Sequence, residues 1–303
     1  MQRSDWEGKD GWKESEWKQL DEMNMDNMYG PPVFPPKGAT ILQTIWTYLE
    51  KPDKKKSRNC CNGKQLKRQK RGIQRSPLPY YQSYAACASQ VEMRVFITIC
   101  AHKNYLFGDG DAINAYAQSP PPEEPTYVRI DDQYADWYYA KHGHHVDRRK
   151  VLPVQHALQG HPESGALWAK HIAAVLSDLG FTAMTHAPCI YKGTWKDKEV
   201  LICKQVDDFQ IASHDRGTIE EVIEQIGGRV RFVGNKELMT KFNGACYIQS
   251  RDYIKMHCQS YIEKILSNHG WDTPMKDEGK LIEPLHPDGF KELERSVGPT
   301  TDT

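Results

Sequence analysis

Residues 200–212 read Val200-Leu201-Ile202-Cys203-Lys204-Gln205-Val206-Asp207-Asp208-Phe209-Gln210-Ile211-Ala212. Two apolar runs, Val200 to Gln205 and Phe209 to Ala212, flank Val206-Asp207-Asp208, so the stretch predicts a hairpin with two carboxylates at its tip. Adjacent aspartates at a turn carry little chemistry alone, because Asp favours turns, and Asp131-Asp132 is expected to be ordinary loop chemistry on that ground. A third carboxylate changes the weighing. Asp111 stands in an apolar strand context, Asp111-Ala112-Ile113-Asn114-Ala115-Tyr116, after the mixed segment that contains Gly108-Asp109-Gly110. The strand is closed off by Pro120-Pro121-Pro122-Glu123-Glu124-Pro125, which continues neither a helix nor a central strand.

Outward from these carboxylates the pattern alternates between helix and strand. Trp168, Ile172, Val175, Leu176 and Leu179 share one helical face that starts near Ser164, with Gly180 as a C-terminal stop. Ile219, Val222, Ile223 and Ile226 ahead of Gly227-Gly228 predict a second helix, and Tyr261, Ile262, Ile265 and Leu266 ahead of Gly270 a third. Arg94 to Ala101 is apolar and β-branched, and its periodicity does not separate strand from buried helix. Gly30-Pro31-Pro32 and Pro35-Pro36 break the chain after an acidic first segment. There Trp6, Trp12 and Trp17 suggest a weakly amphipathic helix. Ile41 to Leu49 is expected as one strand leading into a basic hairpin that turns at Asn62-Gly63.

The chain has 303 residues, enough for one large domain or two ordinary ones, with 39% hydrophobic residues, 26% charged and a mean hydropathy of -0.71. It is polar but too rich in Trp and Tyr to be disordered throughout. The longest apolar run, Val95 to Ala101, falls far short of the roughly 18 residues of a membrane span, and the N-terminus lacks an apolar signal core. Neither a membrane partner nor secretion is expected. Eight scattered cysteines without a Cys-x-x-Cys pair fit free thiols. Forty basic and forty acidic residues cancel overall, but Lys51 to Arg75 holds eleven Lys or Arg against the single Asp53, the footprint of a polyanion partner or a solvated, import-like loop. His142-Gly143-His144-His145 lacks the partners of a metal site and is expected to be a solvated loop. Ser164 near His161 sits on no nucleophile elbow, and neither a phosphate loop with Lys-Ser/Thr nor a dinucleotide fingerprint occurs, which argues against hydrolase, ATPase and dehydrogenase classes.

Taken in order, these elements resemble the reverse transcriptase of copia-type long-terminal-repeat retrotransposons over roughly residues 35 to 270. Asp111, Ala115 and Tyr116 resemble the family's strand with a metal-binding Asp. Leu158-Gln159-Gly160, followed by Ser164 and Trp168, is similar to its Leu-x-Gly element. Gln205-Val206-Asp207-Asp208 resembles its Tyr-Val-Asp-Asp hairpin, with Gln205 in place of Tyr. Phe242-Asn243-Gly244, then Tyr253-Ile254-Lys255 and Tyr261-Ile262, resemble the last palm hairpin and the start of the thumb. The resemblance implies an α+β fold: a right-hand polymerase-like palm, an antiparallel sheet backed by helices, with fingers and a truncated thumb. It also makes Arg94 to Ala101 helical. The implied organisation is a partly disordered N-terminal segment over 1–34, fingers and palm over 35–245, and the start of the thumb and tail over 246–303.

The implied function is RNA-directed DNA polymerisation by two-metal nucleotidyl transfer to a primer 3′-hydroxyl. Its catalytic and metal-binding residues would be Asp111, Asp207 and Asp208, with two Mg²⁺ or Mn²⁺ ions as cofactors, since such chemistry needs hard oxygen ligands. Tyr116, Gln159, Gly160, Lys56 and Arg58 would bind substrate, with Tyr116 under the incoming sugar and Lys56 and Arg58 on the triphosphate. The implied partners are an RNA or DNA template with primer and deoxynucleoside triphosphates, in the cytoplasm or nucleus. The alternative is an inactive retroelement remnant that only binds nucleic acid. It draws on Thr303 falling before connection and RNase H regions, on Gly165 where the family tends to have Pro, and on Cys246 after Gly244-Ala245.

Overall fold

A computed structural model describes residues 11–51, 53–64, 66, 83–235, 241–250 and 253–271. Trp6, most of the basic run beyond Gly63 and the C-terminal tail lie outside the described residues. The chain divides into two compact units, Met1–His257 and Cys258–Thr303.

The first unit is built on a six-stranded antiparallel sheet of order β11-β4-β10-β9-β8-β7. Its strands are β4 (Leu106–Ala112), β7 (Thr182–Met184), β8 (Ala187–Trp195), β9 (Lys198–Gln205), β10 (Asp208–Ser213) and β11 (Phe232–Asn235). Alternation along β9 shows why the sheet is central. Val200 and Ile202 enter one buried cluster, with Trp168, Ile172 and Leu176 of α4 (Ser164–Asp178) and Ile219, Val222, Ile223 and Ile226 of α5 (Arg216–Gly227). Leu201 and Cys203 enter another, with Met93, Phe96, Ile97 and Cys100 of α2 (Gln90–His102) and with Phe242, Ala245 and Tyr247. Those last residues belong to a small sheet of β12 (Lys241–Phe242), β13 (Ala245–Gln249) and β14 (Ile254–His257). Glycine permits the close contact of sheet and helix: a Cβ on Gly108 would come within 2.5 Å of Ile219 Cγ2.

The open reading of Arg94 to Ala101 resolves as the α2 helix, as the resemblance implies. Ser89 Oγ accepts from the Glu92 amide and Glu92 Oε2 accepts from the Ser89 amide, a Ser-x-x-Glu box that outweighs β-branching.

A third cluster joins the parts ahead of that sheet. These are α1 (Trp12–Met25), the strands β1 (Thr40–Leu42), β2 (Thr44–Glu50) and β3 (Lys55–Cys61), and the pair β5 (Thr126–Arg129) and β6 (Val151–Pro153). β1 pairs in parallel with β5, while β2 and β3 form the basic hairpin. Two expectations are corrected here. The strand expected over Ile41 to Leu49 breaks at Gln43, because its halves pair with different partners. The hairpin reverses at Lys51 and Lys54, whose backbones exchange hydrogen bonds, and not at Asn62-Gly63. Gly63 serves close packing instead: a Cβ there would lie 2.2 Å from the Gly160 carbonyl oxygen. The helix that the Trp spacing suggests is present as α1, and its buried stripe is Trp12, Glu16, Leu20 and Met23.

Asp131 is more than loop chemistry. It caps α3 (Asp132–His142) by accepting from the Tyr134 amide, and its other oxygen accepts from Thr44 Oγ1 (2.6 Å) and Trp46 Nε1 (2.8 Å) of β2. Asp131→Ala removes a cap and strands two donors, and is expected to cost about 2 kcal/mol. Denaturant unfolding checks this, and a loss below about 0.5 kcal/mol, the level of an ordinary surface substitution, would contradict it.

Candidate active site

Three short-range constraints place the carboxylates. Asp111, one residue from the end of β4, is the direct cross-strand partner of Asp208, the first residue of β10. Asp207 lies in the turn between β9 and β10, where Val206 takes a left-handed φ of 57°. That turn is held from two sides: the Trp168 indole N–H donates to the Val206 carbonyl at 2.7 Å, and the Ala112 amide donates to the Asp207 carbonyl at 2.9 Å. Gln205, which stands where the resembled motif has Tyr, accepts from the Ala88 amide at 2.9 Å and so ties the hairpin to the chain entering α2.

The site is electrostatically tense. Burial, then Asp207, Asp111 and Asp109, push the Asp208 carboxyl up to about 6. Burial and Asp207 also raise Asp111, against the pull of Lys56. Asp109 is raised chiefly by burial, and its Oδ1 finds no hydrogen-bond partner among the described residues. Across the strand pair from it lies Gln210, fully buried with neither amide atom bonded. Carboxylates gathered in this way favour a cation among them.

A cleft of about 480 Å³ brings together six of the residues singled out from sequence: Lys56, Arg58, Asp111, Tyr116, Gln159 and Asp207. Lys56 and Arg58 are two apart on β3 and therefore share a face. Burial and the neighbouring Arg58, Lys51 and Lys54 lower the Lys56 pKa, a clustering of positive charge that an anion relieves. Tyr116 is half-buried on a 3-10 turn (Ala115–Gln118), its hydroxyl pKa raised by burial and then by Asp207 and Cys87. Two singled-out residues lie off this cleft. Asp208 faces a neighbouring hollow of about 590 Å³ with Asp109, Asp111 and Asn243. Gly160 lies behind the wall at a φ of 87°, where a Cβ would meet the Cys61 carbonyl oxygen at 2.2 Å. Its neighbour Gln159 accepts from the Cys61 amide through its carbonyl at 2.8 Å.

The cleft has a side that motif reading missed: Asn59, and Gln19, Met23 and Asp26 in or beside α1. For Asn59 the signal was its position just after Lys56 and Arg58; for α1 no local motif announces it. Among the described residues no group of three or more His, Cys, Asp or Glu side chains stands ready to hold a metal ion. Asp111 and Asp207 nevertheless share one cleft with Lys56, and magnesium in such sites takes one or two carboxylates with substrate phosphates completing its shell. The donor chemistry therefore fits.

The profile of the family described as Reverse transcriptase (RNA-dependent DNA polymerase) matches residues 32–276. The chain belongs to this copia-type reverse transcriptase family. Its members are nucleotidyltransferases, and the mixed α+β architecture, an antiparallel sheet backed by helices, is compatible with their palm-and-fingers fold. Similar solved structures include telomerase from Candida albicans in complex with a fragment of telomeric RNA, at 12% identity and a TM-score of 0.44. Another is apo telomerase from Candida tropicalis truncated from its C-terminal domain, at 11% identity and 0.41. Each match covers 80% of this chain, which spans 49% and 59% of those chains. Among the described residues no helix is long and apolar enough to cross a membrane.

Because Asp208 has a folded-state pKa above that of a free carboxylate, the folded reverse transcriptase domain binds that proton more tightly than the unfolded chain does. Its stability therefore falls as pH rises from about 4 through about 6. Asp208→Asn is expected to stabilise the metal-free protein by about 1 kcal/mol at neutral pH, a figure discounted for solvent screening. The gain disappears below about pH 4. Thermal unfolding of both proteins across pH checks this, and a pH-independent difference would contradict it.

Proposed function

We propose that this domain is an RNA-directed DNA polymerase that extends a primer 3′-hydroxyl on an RNA or DNA template from deoxynucleoside triphosphates, in the cytoplasm or nucleus. The observation that carries this is the one cleft lined by cationic Lys56 and Arg58 together with Asp111, Asp207, Tyr116 and Gln159. A triphosphate fits the two basic side chains and a cation-dependent reacting centre the two aspartates.

Asp111 and Asp207 would hold two Mg²⁺ or Mn²⁺ ions, with Asp208 shaping the site from β10. When bound, these ions lower the pKa of the primer hydroxyl and neutralise the leaving pyrophosphate. Lys56 and Arg58 bind the triphosphate oxygens, which offsets their mutual repulsion. Tyr116 lies under the sugar and disfavours a 2′-hydroxyl. Gln159, set by the backbone contact of Gly160 with Cys61, backs the templating base and the incoming nucleotide. Residues 35–245 act as fingers and palm, and 246–303 as the start of the thumb. Positioning and charge neutralisation do most of the catalytic work, as in phosphoryl transfer generally.

Primer extension on an RNA template with Mg²⁺ or Mn²⁺ tests the proposal. Asp207→Asn is expected to lower the rate at least about a thousandfold, a loss on the scale of removing a key electrostatic group. Absence of extension by a folded, template-binding wild-type protein would overturn the proposal in favour of a nucleic-acid-binding remnant. Tyr116→Ala is expected to raise ribonucleotide incorporation relative to deoxyribonucleotide about tenfold or more, and an unchanged ratio would remove Tyr116 from the sugar site. Independently of activity, Mg²⁺ is expected to raise the melting temperature of the wild type but not of Asp111→Asn.

A further inference from the structure

The N-terminal helix α1 lies wholly ahead of the family match, which begins at residue 32. Yet Gln19 and Met23 of this helix, and Asp26 at its C-cap, line the cleft that holds Asp111 and Tyr116. Besides Asp21, which accepts from Trp137 and Lys141 of α3, two sets of contacts hold α1 there.

On the fingers side, α1 docks on β3. Ser15 Oγ donates to the Lys55 carbonyl at 3.1 Å and accepts from the Ser57 amide at 2.8 Å, which satisfies backbone groups bracketing Lys56. Tyr48 of β2 donates its hydroxyl to the buried Glu16 at 2.6 Å, and Trp12 meets the Tyr48 ring edge-on with centroids 5.3 Å apart. A two-stranded hairpin is marginal alone and gains stability from a helix packed on it. The strand that carries Lys56 and Arg58 is therefore ordered partly by α1.

On the palm side stands one ion pair. The Arg231 guanidinium, just ahead of β11, donates to Asp26 Oδ1, and the Asp26 side chain is only 7% exposed. The backbone of Arg231 is knitted to the segment between Asp111 and Gln118. Its carbonyl accepts from the Ile113 amide at 3.0 Å and from Gln118 Nε2 at 3.2 Å, and its amide donates to Gln118 Oε1 at 2.5 Å. Ile113 lies two residues past Asp111, and Gln118 two past Tyr116. The Asp26–Arg231 pair thus connects the helix that orders the triphosphate-binding strand to the segment that carries the metal-binding and sugar-facing residues.

We propose that α1 is the outer wall of the nucleotide cleft and that the Asp26–Arg231 pair is a clasp fixing the spacing between Lys56 and Arg58 on one side and Asp111 and Tyr116 on the other. Asp26 and Arg231 are positioning residues, and Gln19 faces the incoming deoxynucleoside triphosphate. The inference rests on the polymerase assignment above.

The test is steady-state primer extension by the full chain, with Asp26→Asn, Arg231→Gln and the double variant, beside equilibrium titration with a fluorescent deoxynucleoside triphosphate on template-primer and Mg²⁺. Each single variant is expected to raise KM for the nucleotide about tenfold, the effect of losing one well-formed charged contact. kcat should change far less, and template-primer affinity not at all. The double variant should be no worse than either single one, because both remove the same pair. Should the ion-pair variants fail to fold, Gln19→Ala, which breaks no ion pair, carries the test with an expected rise in KM of about threefold. A folded variant set with unchanged KM and unchanged nucleotide affinity, or additive effects of the two singles, would overturn the clasp. If the wild type itself neither binds nucleotide nor extends primer, it is the polymerase assignment that fails, a result these arms separate from the first.

Discussion

Two hydrogen bonds hold the tip of the β9–β10 hairpin, and the arrangement around the cleft depends on them. The turn needs a left-handed residue, and Val206, a β-branched side chain with φ of 57°, is a costly choice for it. The cost is offset where the Val206 carbonyl accepts from the Trp168 indole and the Asp207 carbonyl from the Ala112 amide. The first bond ties the turn to the buried face of α4; the second ties it to the strand that carries Asp111. Because both act on the backbone, they set the positions of Asp207 and Asp208 without using their side chains. Removing Trp168 would empty a fully buried site and free the turn together.

The same arrangement carries an electrostatic burden. Asp208 is pushed up to about 6 by burial and by three nearby carboxylates, and Asp109 keeps an unbonded oxygen beside a buried, unbonded Gln210. Unsatisfied polar groups of this kind cost stability that an ordinary core would not give up, and they concentrate where a protein meets charge that arrives from outside. The cleft also carries cations: Lys56, which lines it with Arg58, is repelled by Arg58, Lys51 and Lys54.

Packing sets how these charged groups come together. The palm sheet is covered on both faces by helices that bury Trp168, Ile172, Phe96 and their neighbours, so β4 and β10 are rigid at the level of the backbone. The elements ahead of that sheet have a separate cluster of their own, and the β2–β3 hairpin leans on α1. The segment Leu158-Gln159-Gly160 connects them: Gly160 and Gly63 let its backbone pass against β3 closer than any Cβ would allow, so the two glycines act as a steric match between fingers and palm.

What was legible in the amino-acid order was whatever repeats locally. The 3.6-residue stripe from Trp168 to Leu176, the stripe from Ile219 to Ile226, and the alternation from Val200 to Ala212 each name their own element, because side-chain period depends on nothing beyond a few neighbours. The order of Asp111, Gln159-Gly160 and Asp207-Asp208 was equally plain, and with it the family. The bonds of Asp131 to β2 and the purpose of Gly63 were not legible, because each is settled by a partner 80 to 100 residues away. Least legible was α1. Its inward stripe includes Glu16, which no hydropathy pattern places in a core and which is buried where the Tyr48 hydroxyl donates to it. Local periodicity thus specifies elements and the chemistry they carry. Which of those elements share a cleft is set by long-range contacts, since a backbone passing at van der Waals distance or an ion pair 205 residues apart in sequence exists only once the chain has folded.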